Sequence, residues 1–282
     1  SRMAEVLNRV IEKAFRGSAP AQINVPRDYW TQVIDIELPP IVRFERQGGG
    51  KEAIENAAKL LSKAKFPVIL SGAGVVLGGA IDECKKLAEK LDAPVCNGYQ
   101  HNDSFPGSHP LAVGPLGYNG SKAAMELISK ADVVLALGTR LNPFSTLPGY
   151  GIDYWPKKAT IIQVDMNPDR IGLTKKVSVG ICGDAKQVAQ QILDKLSSDA
   201  GNTGREERKN LIHKTKSAWL QTLSGLDHEE DDPGTVWNKE ARERDKDRMS
   251  PRQAWRAIQD ALPQDAIISS DIGNNCAIGN AY

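Results

Sequence analysis

"PVILSGAGVVLGG", Pro67 to Gly79, decides the fold. Its opening residues form an apolar run up to Ser71, without the in-out alternation of a half-exposed strand. Gly72-Ala73-Gly74 ends the run, and a helix is predicted over 79–91. A strand that is apolar on both sides belongs in a parallel sheet covered by helices on both faces. The same unit recurs outward from this stretch. Helix 52–64 precedes it. Strand 94–97 (PVCN) follows, then a long loop 98–119, helix 120–130 and strand 132–137 (DVVLAL). Strand 160–164 (TIIQV), strand 177–181 (VSVGI) and helix 184–197 complete the series. The reading is an α/β class domain with a Rossmann-like parallel sheet over residues 51–200.

The flanks are different. Residues 3–15 form an amphipathic helix with Val6, Val10, Ile11 and Ala14 on one side, and Ala21–Val25 reads as a short strand ended by Pro26. Residues 1–35 are thus one helix and one strand, too little for a core. Residues 36–50, with Pro39-Pro40 and the triple glycine 48–50, read as a linker. After the central domain, 201–249 holds a polar helix over 205–223 with Leu211, Ile212, Trp219 and Leu220 on one side. A mixed-charge connector, "DHEEDDPGTVWNKEARERDKDR", follows it. Over 250–282, Ser250 is a helix N-cap with Pro251 in the first turn, helix 251–262 follows, and 266–270 reads as a strand. Both flanks are expected to be pieces of further domains.

The 282 residues carry 36 basic and 35 acidic side chains, so there is no electrostatic case for a nucleic-acid partner. No apolar run reaches the roughly 18 residues of a membrane span, and the first residues lack a signal-peptide core. Cys84, Cys96, Cys182 and Cys276 are far apart, and no histidines pair at ligand spacing. The expectation is four free thiols in a reduced cytoplasm and no metal site within the chain.

Five motifs carry possible chemistry. The "SGAGVVLGG" turn allows a phosphate to approach, but its GxGxxG match is incomplete and the second strand ends at Asn97 instead of an acid. A structural turn and a dinucleotide site both remain open. In the loop "NGYQHNDSFPGSHP", Tyr99, Gln100, His101 and Asn102 follow a strand end, where parallel sheets bind ligands. His101, His109 and Asp103 form a conceivable acid–base set, though without a nucleophile motif. Arg140 in "GTRLNPF" is placed either to clamp an anion or to pair with an acid such as Asp165. In "SSDIGNN", Gly273 removes side-chain bulk where backbone amides would face an anion, and Asn274 and Asn275 add amide donors. An ordinary strand-to-helix turn reads the same way.

Taken in order, these pieces resemble the thiamine-diphosphate enzymes of the acetohydroxyacid synthase and pyruvate decarboxylase type. "GSAPAQINVPRDYW" is similar to the end of their pyrimidine-binding domain and "ISSDIGNN" to the start of their diphosphate-binding domain. "PVILSGAG", "ADVVLALGTRL" and "IIQVDMNPDRIG" are similar to their central domain. Tyr99–Lys158 is most similar to the branch that cleaves sulfoacetaldehyde, with phosphate as acyl acceptor, to acetyl phosphate and sulfite in breakdown of taurine-like sulfonates. The resemblance implies thiamine diphosphate and Mg²⁺ as cofactors, small-molecule substrates, and a homodimer or homotetramer. It implies that Gly273, Asn274 and Asn275 touch the cofactor diphosphate. It also implies that the activating glutamate lies before Ser1 and the metal motif beyond Tyr282, so that no catalytic or metal residue falls within the chain and this piece alone is inactive. Where acetohydroxyacid synthases carry Asp-Asp-Arg, this chain has Asn142-Pro143-Phe144. Without that cation a ketoacid carboxylate loses a charge-assisted pair worth roughly 1.5–3 kcal/mol, which disfavours acetolactate formation. The same change and the short GAG turn speak against FAD. A non-catalytic nucleotide-binding module is the third reading.

Overall fold

Pro67–Ser71, here β1, is buried along its whole length, as its apolar run demands. The computed structural model describes every residue except 1, 18, 38–39, 41–44, 119, 228–247, 264, 272 and 281–282. Its internal contacts gather into two units, 1–46 and 47–282. The charged connector over 228–247 and Pro39 of the diproline lie outside the described residues.

The second unit holds a sheet of β1, β2 (Val95–Asn97), β3 (Ala112–Pro115), β4 (Val133–Leu137), β5 (Thr160–Asp165) and β6 (Val179–Cys182). The strand order is β3-β2-β1-β4-β5-β6, and every neighbouring pair is parallel. The chain runs outward from β1 to β3, then returns to start β4 on the other side of β1. That reversal is the switch point of a doubly wound fold. The register brings Ser71 opposite both Asn97 and Leu137, and Leu137 opposite Val164. The loops after β1, β2, β4 and β5 therefore emerge level along one edge.

Helices cover the faces: α2 (Lys51–Lys63), α3 (Ala73–Gly78), α4 (Ile81–Leu91), α5 (Lys122–Ile128) and α6 (Ala185–Lys195). Their starts follow local chemistry. The Ser121 hydroxyl accepts from the Ala124 amide at 3.2 Å, and the Asp184 carboxylate accepts from the amides of Lys186 and Gln187 at 3.0 and 3.2 Å. Buried leucine, isoleucine and valine from both layers form one continuous core with the sheet, each contributing about 1.5–3 kcal/mol relative to exposure.

The structure departs from the sequence reading at several points. The loop 98–119 contains edge strand β3, hidden because its Gly114-Pro115 punctuation reads as a turn. Proline is tolerated there because an edge strand has a side with no ladder to break. Helix 79–91 begins earlier as two helices, split where Gly79 turns left-handed at φ 63°. Gly48 and Gly49 of the triple glycine are packed: the Gly48 carbonyl accepts from the Gln191 amide at 2.8 Å, and a Cβ on Gly49 would lie 2.6 Å from the Ile181 side chain. The helix after the domain, α7 (Arg205–Asp227), buries Arg208, Ile212, Thr215, Trp219 and Leu223. Those positions repeat every three or four residues, and Leu220 falls one step off that face and is exposed.

In the first unit, α1 (Met3–Gly17) and a 3-10 turn at Arg27–Thr31 bury nothing. Residues 21–25 and 266–270, expected as strands, have no strand partner among the described residues, and Ile267 is 97% exposed. An apolar run becomes a strand only when a neighbour takes up its N–H and C=O groups. In the second unit, α8 (Pro251–Ala261) opens on the predicted cap as a full capping box. The Gln253 amide donates to the Ser250 hydroxyl at 3.2 Å, and the Gln253 side chain accepts from the Ser250 amide at 2.8 Å. Helix α9 (Asn274–Gly279) packs against α8.

All four cysteines are free, with Cys84 and Cys96 buried and Cys182 and Cys276 half-buried. Burial pushes the Cys84 thiol up to about 12, and that of Cys96 higher still. Ellman's reagent near neutral pH is expected to find two reactive thiols in the native chain and four after unfolding in guanidinium. Four fast thiols in the native chain would contradict this packing.

Candidate functional site

The carboxyl edge of the sheet is where the sequence motifs converge. Its central turn, Gly72–Gly74, is closed by its own backbone. The Gly72 amide donates to the Leu137 carbonyl at 3.1 Å and the Gly74 amide to the Gly138 carbonyl at 2.8 Å. A Cβ on Gly74 would lie 2.6 Å from the Gly138 Cα, and one on Gly138 would lie 2.7 Å from the Gly74 Cα. Gly138 sits at φ 61°, where side chains are disfavoured. The donors that a dinucleotide phosphate would need are spent on the neighbouring loop. Of the two readings of this turn, the geometry takes the structural one.

Asn97 explains the shape of the next loop. Its side-chain amide donates to the Ser104 hydroxyl at 2.9 Å and the His101 carbonyl at 3.4 Å, folding the chain back on itself. Ser71, at the end of β1, donates to the Ser104 carbonyl at 3.2 Å. The proposed acid–base set does not assemble around one point. His101 Nδ1 lies 3.8 Å from the exposed Asp103 carboxylate. His109 is engaged elsewhere: its Nδ1 accepts from the Leu111 amide at 3.2 Å, and its Nε2 lies 3.2 Å from Glu89. With Nδ1 accepting, the Nε2 proton points at the carboxylate, and the ring is structural.

Gln100 is exposed, whereas Tyr99 is buried. The Tyr99 ring meets Phe144 edge-on at 5.2 Å and Tyr118 at 6.2 Å. Its hydroxyl touches the Cys276 sulfur at 3.6 Å. Burial first, and the Cys276 contact second, push that hydroxyl up to about 12. Beside it, the Asn102 side-chain amide donates to the Asn280 side-chain oxygen at 2.8 Å. Thus two of the four loop residues picked from the sequence face α9. Of the residues that complete the cluster, Phe144 was singled out only as lacking a cation and Cys276 only as a free thiol, while Tyr118 and Asn280 were not picked from the sequence. No local spacing marks them.

Arg140 and Asp165 do not pair. The Asp165 carboxylate is buried and accepts from the Asn167 amide at 2.8 Å, while Arg140 is exposed. Gln163 ties the two loops instead. Its side-chain amide donates to the carbonyls of Thr139 (3.1 Å) and Arg170 (3.2 Å), and its oxygen accepts from the Gly172 amide (2.9 Å).

Gly273 stands before α9 at φ 136°, with open space around the position of a Cβ. The first backbone bond of α9 runs from the Ala277 amide to the Gly273 carbonyl at 3.1 Å. The amides of Asn274 and Asn275 therefore precede the ladder and have no helical acceptor. That donor set and the missing side chain at Gly273 fit a diphosphate oxygen. Among the described residues no three His, Cys, Asp or Glu side chains gather as metal ligands. No helix among them is long and apolar enough to cross a membrane.

Comparison with known proteins follows this geometry. Residues 54–192 match the family model described as "Thiamine pyrophosphate enzyme, central domain". The chain is 78% identical over 282 residues to a probable sulfoacetaldehyde acetyltransferase of Rhizobium meliloti (strain 1021), covering 100% of this chain and 48% of that protein. It is 77% identical over 282 residues to the sulfoacetaldehyde acetyltransferase of Roseovarius nubinhibens, covering 100% and 47%. The chain spans about half the length of the curated relatives it matches. Among solved structures it is similar to benzoylformate decarboxylase from Polynucleobacter necessarius, with a TM-score of 0.52 and 23% identity. That match covers 64% of this chain and 33% of the other, and it bears on the fold alone.

Proposed function

Because the chain belongs to the thiamine pyrophosphate enzymes, whose central domain it carries, we propose that it serves in a sulfoacetaldehyde acetyltransferase. The reaction would convert sulfoacetaldehyde and phosphate to acetyl phosphate and sulfite, in the breakdown of sulfonates. The observation that carries this reading is the 78% identity sustained over all 282 residues.

Thiamine diphosphate, held with Mg²⁺, would supply the electron sink for cleaving the carbon–sulfur bond. This chain's part is positional. The Gly273–Asn275 turn offers backbone amides, and in Asn275 a side chain, to the diphosphate. The sheet edge, closed at Gly74 and Gly138, supports a rigid central domain without a flavin pyrophosphate on that turn. Phe144 at the expected cation position supports the acetyl-phosphate reaction over acetolactate formation. Free thiols support a reducing cytoplasm, and the family resemblance supports a dimer or tetramer.

The test is a hybrid in which these 282 residues replace the matching half of the Rhizobium meliloti relative. The hybrid is expected to release sulfite from sulfoacetaldehyde only when phosphate, thiamine diphosphate and Mg²⁺ are all present. The 282-residue chain by itself is expected to release none. A folded hybrid that makes acetolactate from pyruvate, or releases no sulfite, would overturn the reading.

A further inference from the structure

Lys216, on α7, reaches across to the turn that leads into edge strand β3. Its Nζ donates to the Pro110 carbonyl at 2.9 Å and the His109 carbonyl at 3.4 Å, and the side chain is half-buried. Both partners are neutral, and burial pushes the ammonium below the ordinary lysine range. Other lysines face carboxylates. Lys157 donates to Asp153 at 2.6 Å, which holds its ammonium above that range. Lys186 and Lys195 lie 3.8 and 3.5 Å from Glu83 and Glu55. An ammonium carries three N–H groups. Loss of one proton leaves Lys216 with two, enough for both carbonyls, and with a lone pair at the third position. The neutral amine therefore keeps its place and is a nucleophile. The helix, the turn and both carbonyls all lie within the 282 residues.

Resting on the acetyl-phosphate reaction proposed above, we propose that Lys216 is an acetylation site that takes its acetyl group from the product of that reaction and so frees the His109–Pro110 turn from α7. The neutral amine attacks the acetyl carbonyl carbon and an amide bond forms. The bond from that carbon to the phosphate oxygen breaks, phosphate leaves with the electron pair, and the surplus amine proton passes to it. No oxidant or reductant is needed. The acetylated side chain is uncharged and has one N–H for two carbonyls. The His109 carbonyl also accepts from the amide of Ala112, the first residue of β3, at 2.9 Å. A loosened turn is therefore felt at the edge of the sheet.

The first test needs no catalysis. The 282-residue chain is incubated with acetyl phosphate, and initial acetylation rates at single lysines are read by peptide mass spectrometry. Lys157, whose side chain is 77% exposed, is the internal reference. Exposure alone would make Lys157 the faster. Lys216 is instead expected to react about three- to tenfold faster, with the two rates converging in guanidinium. A Lys157 rate that matches or exceeds that of Lys216 in the folded chain, or a ratio that survives unfolding, overturns the site. Hydrogen exchange reads the release. The Ala112 amide is expected to exchange about threefold faster in the acetylated chain and in Lys216→Gln, while Lys216→Arg, which keeps the charge, stays near the parent. Unchanged Ala112 exchange on acetylation overturns the release.

In the full-length hybrid, acetyl-Lys216 is expected to accumulate during turnover of sulfoacetaldehyde and phosphate, and not when thiamine diphosphate is left out. A hybrid that releases no sulfite rejects the functional reading, while added acetyl phosphate still decides the site. A hybrid that turns over yet leaves Lys216 unacetylated overturns the link to its own product.

Discussion

Replacing Arg208 with methionine is expected to lower the unfolding free energy by about 3–5 kcal/mol, a large share of a typical domain's stability. The guanidinium is 1% exposed and spends all five N–H groups on backbone carbonyls. Nε donates to Asp92 at 2.9 Å. One terminal nitrogen donates to Lys65 and Thr203 at 2.6 and 2.8 Å, the other to Leu91 and Gly201 at 2.9 and 2.5 Å. Leu91 and Asp92 close α4, where carbonyls lack helical donors and a cation is favoured. Lys65 leads into β1, and Gly201 and Thr203 lie in the connection to α7. One side chain thus holds together three segments that are remote in sequence. Burial pushes the guanidinium below its ordinary pKa, with the Asp92 charge working against that shift. Methionine fills much of the volume but leaves five carbonyls without a donor, each a cost of about 1–3 kcal/mol before water or backbone shifts relieve it. Urea unfolding should show a lower midpoint at unchanged slope. The control is Arg205→Ala, three residues earlier, whose partly exposed ion pair with Asp92 should be worth under about 1 kcal/mol. Equal losses in the two variants would show that the carbonyl cage is not what matters.

Gly138→Ala is expected to cost about 2–5 kcal/mol, the sum of a disfavoured left-handed backbone and an overpacked contact. The new Cβ would lie 2.7–2.8 Å from the Gly74 Cα and carbonyl carbon and from the Val75 nitrogen, all of them backbone that cannot rotate away. Gly79→Ala separates the two causes. It has a similar φ of 63° but nothing within 4 Å, so only the conformational penalty of about 1–2 kcal/mol should appear. Gly74→Ala makes the reciprocal contact, with its Cβ 2.6 Å from the Gly138 Cα. Once one substitution has forced the loops apart, the second has less to displace. The double variant should therefore lose at least about 1 kcal/mol less than the sum of the singles. Strict additivity would mean that the two loops do not share one contact.

The parallel sheet was legible because a doubly covered strand writes itself as an unbroken apolar run. Strands at 67–71, 132–137 and 160–164 were read within a residue of their observed ends. The Ser250 cap was legible for a similar reason, since a capping box spans four residues. Strand β3 was not, because edge position let it carry Gly114 and Pro115. Segments 21–25 and 266–270 carry apolar residues, yet pairing is a property of neighbours and these have none among the described residues.

Local pattern alone therefore determined the class of fold, the order of its layers and the loops along which a ligand site would lie. Short-range periodicity is enough for that, because each element's buried face is set by the residues within a turn or two of it. The use made of those loops was decided only in three dimensions. Gly72–Gly74 leaves a phosphate turn open beside a packing turn until Gly138 is seen against it. Arg208 reads as a surface charge on a polar helix until five carbonyls surround it. Tyr99 and Cys276 stand 177 residues apart, and no periodicity spans that distance. Contacts of that kind are chosen by how the finished layers pack.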